Sequence, residues 1–136
     1  MPITKEFAIE MEDRPGTLGK FCQVLADRGV NIVAFQSYPH EGKSEVRLVV
    51  DNPTNAKKVL DGQSASYTER DVVQLKLQHR PGELARVASQ LGDAVINIDY
   101  VYPGIEPGTN AALLLIGVGD VNRAAKIFDE APAKAA

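Results

Sequence analysis

Asp13-Arg14-Pro15-Gly16-Thr17-Leu18 returns later in the chain as His79-Arg80-Pro81-Gly82-Glu83-Leu84. Beyond the motif the spacing holds without a gap: Leu25 answers to Leu91, Asp27 to Asp93, Asn31 to Asn97 and Ile32 to Ile98. The apolar positions repeat too, as Leu18, Phe21, Cys22 and Leu25 in one copy and Leu84, Val87, Ala88 and Leu91 in the other. Both sets follow i, i+3, i+4, i+7, which predicts an amphipathic helix packing one face on a core. The chain therefore reads as a tandem repeat, with units over 1–69 and 70–136.

Outward from each motif the elements come in one order. Phe7, Ile9 and Met11 alternate with Glu6, Glu10 and Glu12, and Val73, Leu75 and Leu77 alternate with Gln74, Lys76 and Gln78, so each motif follows a half-buried strand. Proline keeps the preceding Arg out of the helical region, and glycine lets the chain turn into the helix. The first helix is expected to end at Gly29; the second has Val95 there and is expected to stop a turn earlier, at Gly92. Strands follow at Ile32 to Tyr38 and Glu45 to Val50, and at Ile98–Tyr102 and Ala111–Val118. Short helices start at Asp51-Asn52-Pro53 and at Asp120. Ala65–Thr68 reads as a last strand of the first unit, and the second unit, with its Pro-interrupted tail, is expected to lack one. This is an α+β chain built on the ferredoxin-like βαββαβ plan, used twice. A unit of about 65 residues is marginal alone, so the two sheets are expected to pack or join edge to edge as one body.

Composition narrows the function. The chain has 136 residues, 44% hydrophobic and 24% charged, with a formal net charge of −3. A mildly acidic chain without clustered strand aromatics speaks against a nucleic-acid partner. The start of the chain lacks the layout of a signal peptide, and its longest apolar run, Ala111 to Val118, falls far short of the roughly 20 residues that span a bilayer, so a cytoplasmic protein without a membrane partner is expected. Cys22 is the single cysteine, on the apolar stripe, and is expected in the core. No spacing around His40 or His79 suggests a metal site, and no nucleophile set or phosphate loop is present, so neither metal, cofactor nor catalysis is expected.

The repeated turn can do chemistry of another kind. The amides of Gly16, Thr17 and Leu18 begin a helix without intrahelical acceptors and suit a carboxylate. Asp13 could hold an ammonium group. A free amino acid carries both groups; the same residues could equally serve only to redirect the chain. D-R-P-G-x-L, a helix, then G-V-N-I at the next strand resembles the ACT domain, and the second copy, R-P-G-E-L followed by I-N-I-D-Y-V-Y, resembles it equally. The resemblance runs from about Lys5 to Phe128 and is to small stand-alone proteins of two ACT domains. It implies an allosteric, amino-acid-sensing regulatory protein whose ligand lies at an interface, between the β1–α1 turn of one domain and the second strand of a neighbour. Carried over, it implies Met11, Asp13, Gly16, Thr17 and Leu18 on one side, facing Asn97 and Ile98, or Asn31 and Ile32 of a second chain, with Ser37 presenting a polar side chain. His79 replaces Asp13 in the second copy, so a site at His79, Gly82 and Leu84 is expected to be weaker. Implied partners are an amino acid, a second copy in a homodimer, and a regulated enzyme. A ligand-free ACT oligomerisation module and a small ferredoxin-like enzyme are the competing readings.

Overall fold

Two glycines at left-handed φ, Gly16 at 89° and Gly82 at 90°, turn a strand into a helix in each half of the chain. The computed structural model describes residues 2–130, apart from the side chain of Glu130. Its elements are β1 (Ile3–Glu12), α1 (Thr17–Asp27), β2 (Ile32–His40), β3 (Lys43–Val50), α2 (Pro53–Gly62), β4 (Ser66–Lys76), α3 (Glu83–Asp93), β5 (Ile98–Ile105), β6 (Ala112–Val118) and α4 (Val121–Glu130). They form two compact units, Lys5–Arg70 and the chain from Asp71 onward, the latter together with the residues up to Thr4.

In the first unit β3 pairs antiparallel with β1, Phe7 opposite Leu48, and with β2, Phe35 opposite Leu48. The period of two sends Phe7, Ile9, Met11, Val46 and Leu48 to the helix side, where they close on Leu25, Val59 and Leu60 in one core. Tyr67, from the start of β4, sets its ring edge-on to Phe7 at 6.0 Å. The opposite face carries charge. Glu6 is fully buried, and Arg47 binds it through Nη1 at 2.9 Å, Glu45 through Nη2 at 3.2 Å and the Tyr38 hydroxyl through Nε at 3.2 Å. Tyr38 also donates to Glu45, which holds that carboxyl below its ordinary value, with the Arg47 charge assisting.

The second unit repeats the plan. β6 pairs antiparallel with β4, Val73 opposite Ile116, and with β5, Val101 opposite Ile116. Val73, Leu114, Ile116 and Val118 close on Val87, Leu91 and Ala124. Even the irregularity is shared, as a register shift between Ile32 and Ala34 in one unit and between Ile98 and Tyr100 in the other. Beyond it the units differ: Ala34 faces Val49, whereas Tyr100 faces Gly117 and lays its ring over it. The strand expected to be missing from this unit would fall in residues 131–136, outside the described residues. Gln74 of β4 donates to the Pro2 carbonyl at 2.9 Å, so the chain's first residues lie beside this strand.

Two sequence expectations need correction. Ala65–Thr68 and the strand near Val73 are one strand, β4, because Tyr67 to Val72 offers neither glycine nor proline to break it. α3 does not stop at Gly92; it runs through it to Asp93 and ends as α1 does. In α1 the Gly29 and Val30 amides close on the Ala26 and Leu25 carbonyls, and in α3 the Val95 and Ile96 amides close on Gly92 and Leu91. Buried Leu91 and Ile96 hold the second cap although Val95 takes φ 58°, a costly value for a β-branched residue.

Candidate functional site

The β1–α1 turn of the first unit leaves its helix start open. Thr17 donates to the Arg14 carbonyl at 3.3 Å and Lys20 to that of Gly16 at 3.1 Å, and no side chain caps α1. The Leu18 and Gly19 amides between them have no acceptor inside the helix. Beside the turn, β3 delivers Ser44 opposite Met11, and its hydroxyl donates to Asp13 Oδ1 at 3.2 Å.

Around this point lie two cavities with shared walls. One, of about 60 Å³, is lined by Met11, Glu12, Arg14, Thr17, Leu18, Ser37, Ser44 and Val46. The other, of about 130 Å³, shares Leu18, Ser37 and Val46 and adds Cys22, Ile32, Phe35, Gln36 and Leu48. Together they make a cleft with a polar end at Ser37 and Ser44 and an apolar end between α1 and the β2–β3 hairpin. Phe35, 67% exposed, and Leu18, 39% exposed, border it. Cys22, expected in the core, is half-buried on this wall; burial raises its thiol pKa, which keeps it protonated at neutral pH.

Most of the first-unit residues singled out by sequence meet here. Met11, Thr17, Leu18, Ile32 and Ser37 line the cleft, Asp13 reaches its edge through Ser44, and Gly16 shapes the turn. Asn31 does not join them: its amide donates to Asp51 Oδ1 at 2.9 Å and its carbonyl accepts from the Asp51 amide at 3.1 Å, tying the start of β2 to the loop before α2. In the second unit His79, Gly82, Leu84 and Asn97 are exposed, and Ile98 packs against the core. None of these five lines the cavities described here. Ser44, Phe35 and Leu48 escaped the sequence reading, since only the register of the β2–β3 hairpin places them beside the turn.

A third and larger cavity, of about 620 Å³, shares Met11, Glu12, Arg14 and Thr17 with the polar end of the cleft and continues along α1 past Lys20, Phe21 and Val24. Ile9, Glu10, Met11, Glu12, Arg14 and Pro15 form its strand and turn side, and Gln63 and Ala65 complete its lining.

The turn of the second unit is filled by its own carboxylate. Glu83, almost fully buried, accepts from Arg80 Nε at 2.8 Å and from Arg86 Nε at 3.2 Å and Nη2 at 2.9 Å, while Arg86 Nη1 is steadied by Gln90 Oε1 at 3.1 Å. Hydrogen bonds from Arg80 and then Arg86 hold the Glu83 carboxyl below its ordinary 4.5. A group depressed on folding stabilises above its unfolded pKa, and that contribution is lost as pH falls through the folded value. Glu83→Gln is thus expected to melt below the parent at pH 7, and the gap is expected to close on acidification below about pH 4. A gap unchanged across that range in paired melting curves would remove Glu83 ionisation as its cause.

Among the described residues, no group of three or more His, Cys, Asp or Glu is placed to hold a metal, and no helix is long and apolar enough to cross a membrane.

Residues 6–61, which hold most of β1 through most of α2, match the ACT domain family. Over that stretch the chain is similar to ACT domains. Beyond that stretch the likeness is structural. A Bacteroides thetaiotaomicron protein superposes with a TM-score of 0.84 at 24% identity, over 96% of this chain and 90% of that one. The ligand-free regulatory subunit of aspartate kinase from Thermus thermophilus superposes with a TM-score of 0.63 at 17% identity, over 96% of this chain and 92% of that one. At such identities the likeness speaks for the fold, and it extends past the matched stretch through nearly the whole chain. No curated protein matches in sequence.

Proposed function

We propose that this chain is a non-catalytic regulatory protein of two ACT domains, over 1–69 and 70–136, that binds a free amino acid in the first-unit cleft. The observation that carries the reading is the company kept at the turn: the Asp13 carboxylate, Ser37 and Ser44, an uncapped helix start and an apolar chamber. Asp13 would hold the ammonium group, the Leu18 and Gly19 amides the carboxylate, and the Cys22–Phe35–Leu48 wall an apolar side chain. A regulatory role is supported by the ACT match and by a structural relative that is itself a regulatory subunit.

Exposed Phe35 and Leu18 beside the cleft fit a site completed by a second copy in a homodimer. A ligand held there shifts the association only by its differential affinity for the closed arrangement, and that difference would be passed to a partner enzyme. The test is thermal unfolding against each of the twenty amino acids at millimolar concentration, then calorimetry on any that stabilise. Ligand at 100 times its dissociation constant adds about 2.7 kcal/mol, several degrees for a chain this size. Asp13→Ala is expected to weaken binding of the stabilising amino acid at least about tenfold, some 1.4 kcal/mol, with the fold intact. Full affinity in folded Asp13→Ala would overturn the ammonium assignment, and a flat panel would leave Phe35 and Leu18 as an association surface alone.

A further inference from the structure

We propose that the 620 Å³ groove along the Thr17–Val24 stripe of α1 is a second binding site, taking a small organic monocarboxylate with an apolar body. The argument comes from the repeat. In the second unit a carboxylate sits between two guanidinium groups, Glu83 held by Arg80 and Arg86. The equivalent positions in the first unit are Thr17, Arg14 and Lys20. Both cations are thus kept while the carboxylate between them is gone, and all three residues line the groove. Where Gln90 steadies Arg86, the first unit has Val24, which leaves Lys20 without that tether and adds apolar wall.

The rest of the lining sets the ligand class. Phe21, Val24 and Ala65, each partly exposed, offer an apolar strip for the body of the molecule. Glu10 and Glu12 also line the groove, so its lining carries no net charge, which disfavours a multiply charged anion such as a phosphate ester. Arg14 pairs with Glu12 at 2.5 Å, with both side chains well over half exposed, an ion pair that water makes cheap to exchange for a ligand. The groove meets the amino-acid cleft at Met11, Glu12, Arg14 and Thr17 and differs from it in lacking Ser37 and Ser44 and in adding Lys20, Phe21 and Val24. This proposal rests on the comparison of the two turns and not on the amino-acid reading.

The experiment is an amide-resolved NMR titration of the full chain with 3-phenylpropionate, and with its uncharged amide as control. The expected result is saturable shifts at Lys20, Val24, Gln63 and Ala65 at millimolar acid, with the amide at least about tenfold weaker. Thr17→Glu supplies the missing carboxylate from the chain itself and is expected to abolish those shifts. Lys20→Met is expected to weaken them severalfold without disturbing the spectrum of the second unit. Equal binding of acid and amide, shifts confined to Ser37, Ser44 and Val46, or no shift at all would each overturn the proposal. So would undiminished binding to folded Thr17→Glu.

Discussion

Arg47→Met is expected to lower the free energy of unfolding by about 3 kcal/mol. Glu6 is fully buried and Arg47 keeps only 15% of its side chain exposed. Removing the guanidinium takes a charged hydrogen-bond partner from a carboxylate that water cannot reach, and it strips Glu45 and Tyr38 of the cation they share. Methionine keeps most of the volume, so the loss reports charge rather than a cavity. The second unit shows the alternative solution. Arg47 faces Ala8 across β1 and β3, and Leu115 faces Gln74 across β6 and β4. Around that position the second unit has Val72 and Leu113 where the first has Glu6 and Glu45, all three replacements apolar and buried. Glu6→Val with Arg47→Leu is therefore expected to regain most of what Arg47→Met loses, since well-packed apolar groups commonly replace a buried ion pair without cost. Urea unfolding of the parent, the single and the double variant decides it. A double variant no better than the single would show that the ion pair is required for this sheet, rather than one of two interchangeable fillings.

Gly117→Val is expected to cost about 1–3 kcal/mol by overpacking. A Cβ at this position would stand 2.3 Å from Tyr100 Cζ, so the ring must leave its place over the strand. Tyr100 cannot move freely, because its ring stacks on that of Tyr102 at 6.2 Å, and Tyr102 is buried. The first unit suggests the rescue: the same register position there holds Ala34 opposite Val49, a small residue against a large one in the reverse sense. Tyr100→Ala with Gly117→Val is expected to recover part of the loss, giving a coupling energy of about 1 kcal/mol in a double-mutant cycle. Additive losses would mean that the two residues do not share one volume.

The repeat was legible because both copies obey the same local rules. Arg-Pro-Gly can be read without a structure, since proline restricts its neighbour and glycine readily takes the φ near 90° found at Gly16 and Gly82. The helix stripes and the alternation in β1 follow from periods of 3.6 and 2. Element order and the residues of the β1–α1 turn were therefore available from sequence. The limits were local as well. Val95 in a left-handed cap contradicts local preference, and it is accepted because Leu91 and Ile96 are buried on either side of it. For that reason α3 runs on through Gly92 to Asp93, where local preference alone points to an earlier stop.

By itself, then, the sequence determined the repeat, the α+β order of elements and the turn residues Asp13, Gly16, Thr17 and Leu18, because each depends on neighbours a few positions away. Tertiary structure alone decided which distant residues meet them. The β2–β3 register brings Ser44 and Phe35 to the cleft, while Asn31 falls instead to Asp51. It also decided that Glu83 is clamped and buried while Thr17 stands over an open groove. Two turns nearly identical as text differ in what occupies them, because occupancy is a matter of volume and charge in three dimensions, and no spacing rule carries that.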